Sequence, residues 1–310
     1  MDEQLVEKIT SMIVEKLNTI QQQESHSLIQ EKPWTITEQN HKEIKIEDYV
    51  TFHHTQIEAE EKKEAPLYDS LQDEELDAVK KELQMKTPAR IAVGRAGSRP
   101  KTKTWLKFRY DHAAAVDAVY GEVPKEIFEK LDFFQVRTKV QDKEEYIRRP
   151  DLGRRLSEGS KKTVVEKCKN NPQVQIIVSN GLSAKAIEEN LEDVYLSLQQ
   201  SLRNLNIEIG TTFYIDKGRV ALMDEIGELL QAEVVVILIG ERPGLVAADS
   251  MSAYLCYKPR FGTIEADRIV VSNIHKGGIP SVEAGAYLGS LIQKILKYKT
   301  SGISLANKED

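Results

Sequence analysis

The sequence predicts an α/β protein: a Rossmann-like, mostly parallel sheet with helices on both faces, preceded by a smaller, mainly helical domain and a flexible amino-terminal tail. Three observations carry this expectation. Beyond residue 160, short β-branched runs alternate with helix-length amphipathic segments, the pattern of parallel strands joined by crossover helices. Val234 to Ile239 and Arg268 to Val271 read as strands, and each leads into a glycine-bearing polar loop, Gly240-Glu241-Arg242-Pro243-Gly244 and Ser272-Asn273-Ile274-His275-Lys276-Gly277-Gly278. In open α/β sheets such loops, at the carboxyl ends of strands, are where ligands bind. Composition also shifts near Pro66: residues 21–66 hold ten acidic and five basic side chains, whereas residues 67–310 sum to +1.

Taken in order, residues 1–20 place Leu5, Val6, Ile9, Met12, Ile13, Leu17 and Ile20 on one stripe of period near 3.6, a short amphipathic helix. A single stripe of this length is marginal in water, so it is built to dock on something else or to fold back on its own domain. Residues 21–66, rich in Gln, Glu, Lys and His, bury too little to offset ordering entropy and read as an acidic tether. Residues 67–160 read as the small, mainly helical domain. Helices are expected over Asp69–Gln84 and Thr104–Tyr120, and no sheet-forming series is evident. Residues 161–310 alternate: strand 174–178, helix 184–205, strand 212–215, helix 221–230, strand 234–239, strand 268–271, helix 282–296. The loop Ser179-Asn180-Gly181-Leu182-Ser183 joins the two above, and all three are expected to converge on one crevice.

The chain has 310 residues, 40% hydrophobic and 30% charged, enough for about two domains. Its apolar stretches are strand-length, far short of the roughly 20 residues of a membrane span, and no signal-peptide pattern occurs, so no membrane role and a cytoplasmic location are expected. Cys168 and Cys256 lack metal or redox spacing and read as buried thiols. Lys86 to Arg109 holds eight basic residues and no acid, with Trp105, Phe108 and Tyr110 interleaved. A domain charge of +1 attracts polyanions weakly, so no nucleic acid is expected. Gly94 to Pro100 is glycine-punctuated but lacks the Gly-Lys-Ser/Thr ending of a phosphate loop, and reads as an anchoring or subunit-contact loop. His26, His41, His53 and His54 lie in the tether without ligand partners at metal spacing. Asp224, Glu225 and Glu228 form an acidic helical face, read as a solvent or interface surface. Asn273-Ile274-His275-Lys276-Gly277 offers His275 a loop-ordering or interface role better than a metal-ligand one. No catalytic residue and no metal site is assigned. The sequence looks like half of an active site.

From about Pro88 onward these residues resemble the small subunit of ethanolamine ammonia-lyase, the adenosylcobalamin-dependent enzyme that converts ethanolamine to acetaldehyde and ammonia. The resemblance rests on Gly94 to Pro100, Asp111-His112, Arg149-Pro150-Asp151-Leu152-Gly153-Arg154-Arg155-Leu156, Ser179 to Ser183, Asp224-Glu225-Ile226-Gly227-Glu228, Gly240 to Leu245 and Ser272 to Gly278. It implies a partner, a large subunit with a TIM barrel that holds the substrate and the radical chemistry, while residues 161–310 form the cobalamin-binding domain. The family's small-subunit contacts to the coenzyme fall on Val220, Glu241 and Val270. Val270 stands where cysteine is common, and Asn180 where aspartate is frequent. Residues 1–20 resemble helices that load enzymes into bacterial microcompartments, which implies docking to shell or cargo through Ile9, Ile13, Leu17 and Ile20. A non-catalytic α/β scaffold or regulatory binding module is the alternative, separated by corrin binding once the large subunit is supplied.

Overall fold

The structure, a computed structural model, describes residues 73–87, 89–244 and 247–309; the expected helix over 1–20 and tether over 21–66 lie outside them. Helix α1 (Asp73–Met85) precedes a hairpin of β1 (Arg95–Ala96) and β2 (Arg99–Pro100), turned at Gly97 and Ser98. Then come α2 (Thr102–Tyr120), α3 (Lys125–Lys130), β3 (Phe134–Arg137), α4 (Lys143–Arg148) and α5 (Glu158–Lys167). The remainder is β4 (Val174–Ser179), α6 (Ala184–Asn204), β5 (Phe213–Asp216), α7 (Leu222–Leu230), β6 (Val234–Gly240), β7 (Met251–Tyr257), β8 (Arg268–Ile274), α8 (Ser281–Tyr298) and α9 (Ile303–Glu309).

Six strands form one sheet in the order β3-β5-β4-β6-β7-β8. Strand alternation sorts its side chains into two cores. Val174, Ile176, Val178, Tyr214, Val234, Val236 and Leu238 face α6 and α8, where they meet Leu191, Leu198, Leu288 and Ile292. Ile177, Phe213, Ile215, Val235, Ile237 and Ile239 face α5 and α7, against Val164, Leu222, Met223 and Ile226. Because both faces are covered, β4 and β6 are buried at every position, and β6 reads as a continuous apolar run.

The sheet is mixed: three of its five pairings are parallel, in line with the mostly parallel expectation, and two are antiparallel. β3, β5, β4 and β6 are parallel, β7 runs antiparallel to β6, and β8 antiparallel to β7. Only residues 241–250 join β6 to β7. A parallel crossover needs a dozen or more residues, so this connection returns the chain antiparallel. Two strands of this sheet, like the short β1–β2 hairpin, were not expected at all. β7 follows a glycine- and proline-bearing loop, and β3, within the stretch read as mainly helical, is a four-residue edge strand paired in parallel with β5.

The strand order places the chain reversal between β4 and β5. The helix after β4 packs on one face and the helix after β5 on the other. This is the topological switch point at which open α/β sheets leave a crevice.

Candidate functional site

The loops after β4, β5, β6 and β8 leave the same edge of the sheet, since β8, twice reversed, points the same way as β6. The β4 and β6 loops touch backbone to backbone: Leu182 N donates to Gly240 O at 3.0 Å. That approach needs glycine on both sides. A Cβ on Gly181, at φ +50°, would lie 2.3 Å from Gly240 O, and one on Gly240 would lie 2.1 Å from Ser183 O. Ser183 caps α6 by accepting from Ala186 N (3.0 Å) and donates to Ala248 O (2.7 Å), so one hydroxyl fixes both the helix start and the 241–250 loop. Asn190 adds a second tie, donating to Asp249 O at 2.8 Å.

Asn180 is matched as an amide. Its Nδ2 donates to Asp216 Oδ1 (3.1 Å) and its Oδ1 accepts from Lys217 N (2.8 Å), binding the β4 end to the β5 end. Lys217 itself holds φ 58°. Ser179 Oγ accepts from Gly218 N at 2.9 Å, a further tie between these strands.

Val220 lies half-buried in the turn between β5 and α7, packed on the α5 and α7 core. Glu241 follows Ile239 on the same side of β6, with its backbone N donating to Ser250 O (3.0 Å). Val270 lies on β8 with 49% of its surface exposed. Tyr254 of β7, which sequence reasoning missed, joins two of them. It sits opposite Val270 in register, and its Oη donates to Glu241 Oε1 at 3.1 Å. Burial, with the Glu241 charge adding to it, pushes the Tyr254 phenol up to about 12, so it stays a donor. The signal for β7 was the strict alternation of Met251, Ala253 and Leu255 with Ser252, Tyr254 and Cys256.

The β8 end is shaped by a bulge. Met251 pairs with Ile274 but Ala253 with Val271, so β8 carries one extra residue, with Asn273 at φ 63°. His275 is bound within its own loop: Nδ1 accepts from Gly277 N (3.1 Å), which leaves Nε2 to donate to Asn273 Oδ1 (2.8 Å). Among the described residues no group of three or more His, Cys, Asp or Glu could hold a metal ion.

The acidic face of α7 is not a solvent surface, which corrects that expectation for Asp224 and Glu225. Asp224 accepts from Arg268 Nη2 through both oxygens (2.8 and 2.9 Å), and Glu225 accepts from Leu156 N (2.6 Å) and pairs with Lys161 (3.2 Å). The fold brings Arg268 of β8 and Lys161 of α5 to α7, so these carboxylates are neutralised by partners the linear sequence places 44 and 64 residues away. Burial holds the Asp224 carboxyl above its ordinary range, against the pull of Arg268. Glu228 accepts from Phe261 N (2.9 Å) and stays exposed.

Residues 77–306 match the family described as Ethanolamine ammonia-lyase light chain (EutC). The chain belongs to the ethanolamine ammonia-lyase light-chain family. It is 51% identical to the ethanolamine ammonia-lyase small subunit of Clostridium perfringens over 224 residues, covering 72% of this chain and 76% of that one. The small subunit of Clostridium acetobutylicum is 48% identical over 239 residues, 77% of this chain and 97% of its own. That of Fusobacterium nucleatum is 51% identical over 220 residues, 71% and 75% of the two chains. The described residues are thus an ethanolamine ammonia-lyase subunit, a carbon–nitrogen lyase component of ethanolamine degradation. No helix among them is long and apolar enough to cross a membrane.

Proposed function

We propose that this chain supplies one side of the adenosylcobalamin site of an ethanolamine ammonia-lyase, at its interface with a large subunit that holds the substrate. The observation that carries this is the single sheet face, on the α5 and α7 side, that holds Val220 and Tyr254, with Glu241 bonded to Tyr254 and Val270 opposite it in register. From β5 to β8 that face spans four strand spacings, about 19 Å. Such a length suits a flat macrocycle better than a small metabolite.

The donor set also fits a corrin. A corrin is rimmed by neutral amides, so it needs an apolar wall with a few acceptors and donors. Exposed Val270 and half-buried Val220 provide wall. Tyr254 engages only Oε1 of Glu241, which leaves Oε2 to accept from an amide. Arg219 Nε and Ser252 Oγ are buried without hydrogen-bond partners, the first beside Val220 and the second on the same face of β7 as Tyr254. Adenosylcobalamin, when bound, supplies a homolysable cobalt–carbon bond. This chain's residues then bind and orient the macrocycle and keep water from it, and no acid or base is assigned here. Val270 in place of cysteine keeps an apolar wall. Residues 1–20, outside the described residues, would dock the enzyme to microcompartment shell or cargo through Ile9, Ile13, Leu17 and Ile20.

The test is ammonia release from ethanolamine with adenosylcobalamin, using this chain, its cognate large subunit, and both. Activity only in the mixture is expected. Full activity of the large subunit alone would refute the proposal, and a cobalamin-containing but inactive mixture would move the substrate assignment.

A further inference from the structure

At the switch point between β4 and β5 lies a cavity of about 400 Å³, walled by Phe128, Tyr214, Lys143, Asn180, Asp216 and Lys217. It is separate from the Val220, Glu241 and Val270 positions, on the α6 and α8 side of the sheet, where Phe128 and Tyr214 stack with centroids 4.1 Å apart. Its charges are unevenly satisfied. Asp216 is fully engaged, accepting from Asn180 through one oxygen and from Lys217 Nζ through the other. Asp142 is committed to capping α4, accepting from Glu145 N at 2.8 Å, and Glu122 stands exposed at the rim.

Lys143 differs. Its part-buried ammonium donates to one neutral acceptor, Gly181 O at 3.1 Å, and lies 4.9 Å over the Tyr146 ring. No carboxylate among the described residues pairs with it. An ammonium has three protons to donate, so two directions remain for a ligand. Burial lowers its pKa to about 8 against the pull of the Asp216 carboxylate, and the nearby Lys217 and Arg219 charges add to the fall, so the surroundings favour an added negative charge. Lys143 also neighbours the Val220 turn: Arg219, which precedes Val220, stacks on the same buried Tyr146 ring at 4.0 Å and donates to Tyr146 O at 2.8 Å, so one ring joins the two.

We infer that Lys143 receives the phosphodiester of the cobalamin nucleotide tail, the one anionic group of an otherwise amide-rimmed cofactor, at the mouth of the switch-point cavity. The inference rests on the cobalamin reading above and gives it a charge-specific contact. Cobinamide keeps the corrin and its amides but lacks the nucleotide tail, and so separates the two.

The experiment measures, by absorbance titration of this chain complexed with its large subunit, the Kd for cyanocobalamin and for dicyanocobinamide, in wild type, Lys143→Gln, Lys143→Met and Lys143→Arg. Losing a charge-assisted hydrogen bond should weaken cyanocobalamin about tenfold to a hundredfold in the Gln and Met variants, and much less in Arg. Dicyanocobinamide should be bound equally by all four. Equal losses for both corrinoids would make Lys143 a structural residue, and no loss for either would also overturn the inference, while leaving the cobalamin reading intact. Failure of the wild-type complex to bind either corrinoid would overturn the cobalamin reading and this inference together.

Discussion

Asp224→Asn isolates the buried ion pair that fixes β8 against α7. In the native chain Arg268 Nη2 lies 2.8 and 2.9 Å from the two Asp224 oxygens, with the side chains only 3% and 9% exposed. Burial opposes the charge on Arg268, and Asp224, joined by Glu265, more than offsets it and raises the guanidinium pKa. The amide keeps the shape but leaves the guanidinium buried without its main counter-charge. Removing one partner of such a pair costs about 3–5 kcal/mol. For a chain of this size each kcal/mol shifts the melting point by about 2–4 °C, so Tm should fall by about 6–20 °C. Thermal and urea unfolding of the full chain at pH 7, followed by circular dichroism, measures it. The double variant Asp224→Leu with Arg268→Met should return to within about 2 kcal/mol of wild type, because the desolvation penalty of both charges is removed together. A Tm for Asp224→Asn within about 2 °C of wild type would refute the reasoning, since the pair would then be behaving as a solvated one.

Three more outcomes follow from the same structure. Gly181→Ala should lose more than about 2 kcal/mol by urea unfolding, from the left-handed backbone alone and from the clash with Gly240 O, whereas Gly97→Ala, left-handed but open to solvent, should lose about 1–2 kcal/mol. Lys143→Met should stabilise the chain at pH 7 by about 1–3 kcal/mol, after allowance for partial exposure. The folded lysine has its pKa lowered from 10.5 to about 8, so the unfolded chain binds the extra proton between those values; wild-type stability rises across that window, and the advantage of Met should fade there. An advantage constant from pH 7 to 10.5 would show that the charge is not its cause. Cys168 and Cys256, buried and pushed up to about 12 and about 11 by that burial, should both resist a thiol reagent at pH 8 until urea exposes them; fast labelling of the native chain would place a thiol at the surface.

What the sequence made legible was the part governed by local pattern. β4, β5, β6 and β8 and the helices that follow them lie close to their expected positions, because each strand is built on a short cluster of β-branched and aromatic residues and each helix keeps one apolar stripe. β3 was hidden by its length, since Phe134-Gln135-Val136-Arg137 alternates for only four residues and is stabilised by pairing with β5, 79 positions away in register. β7 was hidden because its partner β6 and its direction are set by the short 241–250 connection rather than by composition. The candidate site was half legible. Glycine-bearing loops marked the edge, but Tyr254, which links Glu241 to Val270, and Lys143, which lines the switch-point cavity, depend on strand order. The acidic face of α7 was misread for a related reason: a carboxylate at helical spacing looks solvated until Arg268 and Lys161 are brought to it by the fold.

The central claim, that this chain builds one side of the cobalamin site, is tested most directly by equilibrium binding of cyanocobalamin to the large subunit alone, to its complex with this chain, and to the complex carrying Val270→Arg. Tight binding is expected for the wild-type complex, weaker binding for the large subunit alone, and a loss of more than about tenfold for Val270→Arg with the complex still assembled in sedimentation. Equal affinity for cyanocobalamin in all three would contradict it.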